Sequence, residues 1–468
     1  MKLAAAFLLA SLCTAPAADY LIVVSERTAA DPAWKPVVEK LTAKHQAATV
    51  TWKSAPEEAL PALQKEMPRF TCFVATREEA TREFVQHVHR LTRRLDSDPY
   101  TDTRWGILTG FDAANALAIA SEEKPLTIHK AGSGTELAMD RIESGTWYCE
   151  LRKGHMVEKT KGGAAEVKKV EPDTTKALAD LLSTGAPDLW VTSGHATEHD
   201  WMIGFRYRNG FWKCKAGQLF GEDTKGTRFD INSTNPKVYL PIGNCLMGHI
   251  DGPDAMALAY MKSAAVRQMA GYVLPTWYGY QGWGLLDYFV EQPGRYTLTE
   301  AFHANNLALV HRLMTNFPGA EKIESVDENG RPSGKTVMPA AAGKLTAQDL
   351  SGLLFDRDNV AFYGDPAWEA RMAPGKLNWE QKLTTGEKGE HTLAITPLAG
   401  AATWQPVNNN GSQRGGRPVI QFLPQRIDPA KVKITAGKEL NAVIADDFIL
   451  VPLPEKADGP VTLSFTLE

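Results

Sequence analysis

No stretch of the chain is long and apolar enough to cross a bilayer; the longest such run, Leu3 to Leu12, falls well short of the ~20 residues a spanning helix needs. Nor is there a strong charge of either sign. A net charge of −4 over 468 residues gives no electrostatic case for nucleic acid or for an acidic membrane surface. Cysteine is scarce, at five residues, with no CxxC pair and no framework spacing. That disfavours both a disulfide scaffold and a thiolate zinc site. Internal repeats and low-complexity tracts are also missing, which sets aside repeat architectures.

What remains is an ordinary globular composition, 43% hydrophobic and 23% charged, on a chain long enough for about two to four domains. The N-terminus has its own character. Met1-Lys2, the run to Leu12 and the small residues Thr14 to Ala18 together form the pattern of a secretory signal peptide. Cleavage is expected near Ala17 or Ala18, with export to the periplasm or the exterior. Cys72, Cys149, Cys214 and Cys245 are then the cysteines left, and no integral membrane segment is expected after cleavage.

Short β-branched or aromatic runs alternate with helical patterns from Tyr20 onward. Strands are expected at Tyr20–Val24, Ala48–Trp52, Phe70–Val74 and Trp105–Gly110. Helices are expected over 30–45, 57–67, 78–95 and 112–120, with Asp112 as a cap. In the third helix, His87 and His89 are assigned to a solvated face. This alternation predicts a parallel sheet in an α/β layer fold. Leu126–Lys130 reads as a further strand, Gly132-Ser-Gly134 as a tight turn, 152–169 as a surface excursion and 279–284 as a loop. Helices are expected over 174–182, 254–264 and 299–314, the last capped by Thr299. After Pro374 the pattern changes to short alternating runs separated by turn clusters such as Asn408 to Gly411, which suggests a small β-sandwich. The expected divisions are 1–18 signal peptide, 19–125 N-terminal α/β subdomain, 126–373 second α/β subdomain and 374–468 β-sandwich.

Two runs carry candidate chemistry. Asp188-Leu-Trp-Val-Thr-Ser-Gly-His195 and Val238-Tyr-Leu-Pro-Ile-Gly-Asn-Cys245 are each mostly apolar, then small, then reactive. Continuous apolar runs are typical of buried parallel strands, and ligands collect at the carboxyl ends of such strands. A histidine and a cysteine delivered to one sheet edge would form a thiol–imidazole dyad. Their separation of about 50 residues is also that of caspases. In such a dyad Cys245 is the nucleophile and His195 the general base and acid. The backbone N–H groups of Ala196 and Cys245 are the candidate oxyanion donors.

The local sequences sharpen this. Gly194-His195-Ala-Thr-Glu198-His-Asp-Trp201 resembles the histidine motif of the gingipain-type cysteine peptidases, where His-Gly-Ser-Glu leads to a tryptophan. Asn244-Cys245-Leu-Met-Gly248 is similar to their cysteine motif, Pro275-Thr-Trp277 to their pocket Ser-Trp, and Tyr363-Gly-Asp-Pro366 to the Phe-Gly-Asp-Pro closing their catalytic domain. The resemblance implies a caspase-like α/β/α catalytic region of two subdomains, then an immunoglobulin-like sandwich. It further implies an endopeptidase acting on protein or peptide substrates, with Trp277, Glu198 and Trp201 around the substrate pocket and no cofactor.

The chain departs from that pattern at Ala196 and Asn244. No auxiliary acid matches, and although Glu136 and Asp140 lie near the expected place, no Arg or Lys preference is implied. Two other readings use the same residues. One is a metal-dependent hydrolase built on His195, His199, Asp200, His249 and Asp251. The other is a binding protein that keeps the fold without the activity.

Overall fold

The computed structural model describes residues 19–332, 339–386, 389–453 and 459–468; the expected signal peptide lies outside the described residues. Twelve strands form one continuous sheet. In chain order they are β1 (Tyr20–Ser25), β2 (Ala48–Trp52), β3 (Phe70–Val74), β4 (Arg104–Leu108), β5 (Lys130–Ser133), β6 (Ser144–Tyr148), β7 (His155–Lys159), β8 (Ala165–Lys169), β9 (Leu189–Thr192), β10 (Lys237–Pro241), β11 (Val266–Tyr272) and β12 (Val360–Tyr363). Their order across the sheet is β2-β1-β3-β4-β12-β11-β10-β9-β5-β6-β7-β8. Strands β1, β4, β9, β10 and β12 are buried along their whole length, as the continuous apolar runs require.

Pairing is parallel from β2 through to β12, but β12 runs antiparallel to β11. The two halves of the sheet therefore point in opposite directions. The edge carrying the carboxyl ends of β5, β9, β10 and β11 also carries the amino ends of β3 and β4. Asp365, just past β12, ties the end of that strand to β1 and to the helix Lys35–His45. Its buried carboxylate takes bonds from Tyr20 (2.9 Å) and Lys44 (2.9 Å) and pairs with His45 (2.8 Å), and the His45 and Lys44 contacts hold it ionised down to about 2 against its burial.

The C-terminal region is all β. A four-stranded antiparallel sheet of Trp379–Thr385, His391–Pro397, Val461–Leu467 and Val432–Ala436 faces a three-stranded one of Val419–Phe422, Phe448–Val451 and Val443–Ile444. Leu393, Ile395, Val419, Ile449, Leu463 and Phe465 form the core between them.

Several local expectations are corrected. His89 is buried on the helix Arg82–Thr92, not solvated. It sits four residues after Val85, within the apolar stripe, where its Nε2 meets the Val360 carbonyl at 2.8 Å and its ring meets Trp105 edge-on. Burial lowers its pKa to about 4, so it packs as a neutral ring. The helix expected over 30–45 begins only at Lys35 (Lys35–His45), after Asp31-Pro32, and a separate short helix, Glu26–Ala30, precedes it. Gly132 and Ser133 belong to β5, where the Trp190 ring covers Gly132, and 152–169 forms the hairpin β7–β8 that extends the sheet. The helix Leu298–Asn316 is capped by Thr297 with Glu300 closing a capping box, not by Thr299.

The expected loop 279–284 is the buried helix Tyr280–Leu285, continued by a wider turn to Val290. Its glycines read as breakers, yet they serve close approach. A Cβ on Gly282 would lie 2.0 Å from the Ile242 carbonyl oxygen, so only glycine lets this helix back onto the end of β10.

Beneath that helix, Asp356 is fully buried and accepts from the Tyr272 hydroxyl (3.1 Å) and the Gln281 N–H (2.9 Å). Burial raises its pKa to about 7. The folded state thus keeps a proton that the unfolded chain, titrating near ~3.9, releases. Stability from this group should fall as pH rises from about 4 to 7 and then level off. In Asp356→Asn, urea midpoints should lose that decline; an unchanged slope would show that another group carries it.

Candidate active site

Strands β9 and β10 lie side by side, parallel, with Leu189 opposite Val238 and Thr192 opposite Pro241. The Ile242 N–H extends the ladder to the Thr192 carbonyl at 3.0 Å. The loops carrying His195 and Cys245 therefore leave one sheet edge together, as the two apolar runs predict.

Asn244 ties these loops. Fully buried, it donates from Nδ2 to the Gly194 carbonyl (2.9 Å) and accepts at Oδ1 from the Thr192 hydroxyl (2.5 Å). The residue that marks a departure in the motif is thus a cross-strand clamp. Asn244→Ala would strand the Gly194 carbonyl inside the protein and leave the Thr192 hydroxyl with the Tyr239 hydroxyl alone (2.8 Å), at a cost of about 1–3 kcal/mol. Urea melts should show the loss, and an unshifted midpoint would mean that water or a neighbour replaces the amide.

The His195 loop turns through Gly194 at φ 98°, a left-handed value that favours glycine. Beyond His195 it folds back, with Ala196 bridged antiparallel to Trp201 and the Met202 N–H on the His195 carbonyl at 2.9 Å. Trp201 is fully buried, its Nε1 donates to the Ser193 carbonyl (2.8 Å), and its ring meets Trp212 edge-on. It cannot line a substrate pocket from there; it supports the loop from below. Glu198 also links loops, accepting the Met256 N–H on its carbonyl (2.7 Å) and holding its carboxylate 3.9 Å from His249 Nδ1.

The reactive groups themselves are accessible. His195 is exposed, with its ring against Phe205 at a centroid distance of 4.7 Å. Cys245 is half-buried and donates from Sγ to the Thr276 carbonyl at 3.7 Å. Burial pushes its pKa up, so the resting group is the thiol. No hydrogen bond joins Sγ to the His195 ring in this structure; catalytic contacts in free enzymes are often long and close only with substrate bound. Leu246, immediately after the cysteine, is held at φ 57°, a strain of roughly 1–2 kcal/mol for a residue with a Cβ. Among the described residues the Ala196 and Cys245 backbone N–H groups donate to no backbone carbonyl, and the Cys245 N–H lies against its own Sγ. Trp277, in the loop after β11, is 41% exposed and rests on Tyr278 and Phe355.

Two further residues belong to this edge. Phe205, 42% exposed, covers His195. Glu150, just past β6, is buried; its carbonyl takes the Phe205 N–H (2.8 Å) and its Oε1 the Thr135 hydroxyl (2.6 Å), while Oε2 has no partner among the described residues. Burial raises its pKa. The signal for Glu150 is the one already used, an apolar run (Trp147-Tyr-Cys149) ending in a reactive side chain. Phe205 has no comparable signal.

The residues of the metal reading do not converge as a set. His199 pairs through Nε2 with Asp251 (3.0 Å) and through Nδ1 with the Asp254 carbonyl (3.0 Å), contacts that raise its pKa. Glu198, His199 and Asp251 bring their donor atoms within 4.8 Å of one another, a set that a divalent cation could use. His195 faces Phe205 and takes no part in that group, and neither does Asp200 in the strand Asp200–Met202. Cys214 donates to the Asp254 carbonyl (2.7 Å), and burial pushes its thiol up to about 12, an inert position.

The fold and this edge define an α/β protein with a thiol and an imidazole on adjacent strand ends. Comparison with protein-family models and with curated proteins finds no match by sequence. Among solved structures, gingipain R, described as an Arg-specific cysteine proteinase, aligns over 94% of this chain and 93% of its own at 11% identity and a TM-score of 0.44. A complex of the Porphyromonas gingivalis RgpB pro- and mature domains aligns over 93% of each chain at 10% identity and 0.44. A third structure, described only as a protease, covers 81% of this chain and 84% of its own at 10% and 0.41. Likeness this distant leaves the chemistry to be read from the residues above.

Proposed function

We propose that the chain is an exported cysteine endopeptidase in which Cys245 is the nucleophile and His195 the general base and acid. The reading is carried by the register of β9 and β10, which sends both side chains out of one sheet edge under the Asn244 clamp. In the reaction, His195 takes the thiol proton as Sγ attacks the scissile carbonyl. The Ala196 and Cys245 N–H groups receive the developing oxyanion. The protonated imidazole then gives its proton to the leaving amine as the C–N bond breaks. Water, deprotonated by His195, next cleaves the thioester and restores the thiol. Trp277 offers an exposed aromatic wall for the substrate side chain. Domain limits at residues 19–125, 126–373 and 374–468 belong to the same proposal.

The second reading is a binding protein with an idle site, favoured by the missing Sγ–imidazole contact and the raised Cys245 pKa. Labelling the purified protein with an electrophilic peptide and mapping the adduct by mass spectrometry separates the two. An adduct on Cys245, absent in His195→Ala, supports the peptidase. An unmodified Cys245 with reaction elsewhere selects the binding protein.

A further inference from the structure

The segment between Gln405 and Pro418 leaves the β-sandwich and is anchored on the α/β region by a buried ion cluster. Arg414 Nε (2.7 Å) and Arg417 Nε (2.9 Å) both donate to the Asp287 carboxylate, and Arg414 also pairs with Glu291. The same guanidinium groups fix the segment's own backbone, Arg414 on the Asn410 carbonyl (2.8 Å) and Arg417 on the Gln413 carbonyl (2.7 Å). The tip is thereby held in one shape.

That tip reaches residues that flank the candidate dyad on both sides. A Cβ on Gly411 would lie 2.3 Å from the Trp283 ring, and one on Gly243, two positions before Cys245, would lie 3.1 Å from the same ring. One indole therefore separates the tip from the cysteine loop. Ser412 donates to the Tyr278 carbonyl (2.9 Å), beside Trp277. On the other side Asn410 Nδ2 reaches the Thr135 hydroxyl (3.2 Å) and Glu150 (3.5 Å), and the Glu150 carbonyl holds Phe205 against His195. Asn409, Gly411 and Ser412 are exposed. An open cavity of about 590 Å³ lies between Val407–Asn410 and the loop Glu136–Asp140. The opposed directions of the sheet halves explain the approach, because the sandwich packs at the amino ends of β3 and β4, where Arg69 donates to the Pro424 carbonyl and Arg104 covers Phe422. That is the edge that bears His195 and Cys245.

We propose that Asn408 to Ser412 form a wall of the substrate cleft, so that the β-sandwich helps select the peptide. The amides of Asn409 and Asn410 would bond to an extended peptide backbone, which needs uncharged donors and acceptors at fixed positions. The inference rests on the peptidase reading. It is tested on the full chain with Asn409→Ala, whose side chain makes no hydrogen bond among the described residues, and with Asn410→Ala. Labelling rates of Cys245 are measured with an electrophilic peptide and with iodoacetamide. The peptide rate should fall by about tenfold, the effect of one lost hydrogen bond of ordinary strength, and the iodoacetamide rate should hold. Equal peptide rates in variants and wild type would overturn the wall, as would peptide and iodoacetamide rates falling together, which would mark the tip as a support for Cys245. A wild type that iodoacetamide modifies and the peptide does not would overturn the peptidase reading, and the wall with it.

Discussion

His195→Ala should lower peptide hydrolysis by roughly 10³-fold or more, because the imidazole is the base that takes the thiol proton in the proposed reaction. Burial makes the dependence stronger. Cys245 starts above the ordinary thiol range, so little thiolate exists at neutral pH without a base. Stability should barely respond, since His195 is exposed and its ring rests on the half-exposed Phe205. Cys245→Ala should be equally damaging, and the double variant no worse than either single one, because the two groups act as a unit. Activity that survives Cys245→Ala and disappears with a chelator would instead assign the chemistry to Glu198, His199 and Asp251.

The largest effect on stability is expected from Asp287→Ala. Its carboxylate, 6% exposed, accepts from Arg414, Arg417 and the Gly415 N–H, and the two guanidinium groups are themselves 3–4% exposed. Arg417 also stacks on Tyr280 at 3.5 Å. Removing the carboxylate leaves two cations in a dry environment with Glu291 as the remaining acid beside Arg414, a loss of about 3–5 kcal/mol. A lowered urea midpoint with the sandwich loosened from the α/β region would be seen by denaturation combined with limited proteolysis near Gln405. A midpoint within about 0.5 kcal/mol of wild type would mean that water reaches the cluster.

Much of the sheet was legible because buried parallel strands leave an unbroken apolar signature. Tyr20–Val24, Phe70–Val74 and the two runs before His195 and Cys245 all appear where that signature places them. The four-stranded antiparallel sheet over 200–231 was not read, since Phe211-Trp-Lys-Cys-Lys215 and its neighbours mix aromatic and charged residues on a half-exposed surface. Glycine misled in a consistent way. At Gly132 and Gly282 it marks where a ring or a backbone comes close, and local patterns carry no trace of what approaches. The candidate site divides similarly. His195, Cys245 and Trp277 stand out by chemistry, whereas Asn244, Phe205 and Glu150 matter through partners far along the chain.

The way β12 is threaded has a consequence for how the protein can assemble. Tyr363 pairs with Ile107 on one side and with Met269 on the other, so β4 and β11 become neighbours only through a strand that leaves the ribosome after both. Until then each half-sheet carries a bare, apolar inner edge, the kind of surface that recruits stray strands. Such long-range closure is slow. The candidate dyad, carried on the loops that follow β9 and β10, can be in place before the sheet is sealed.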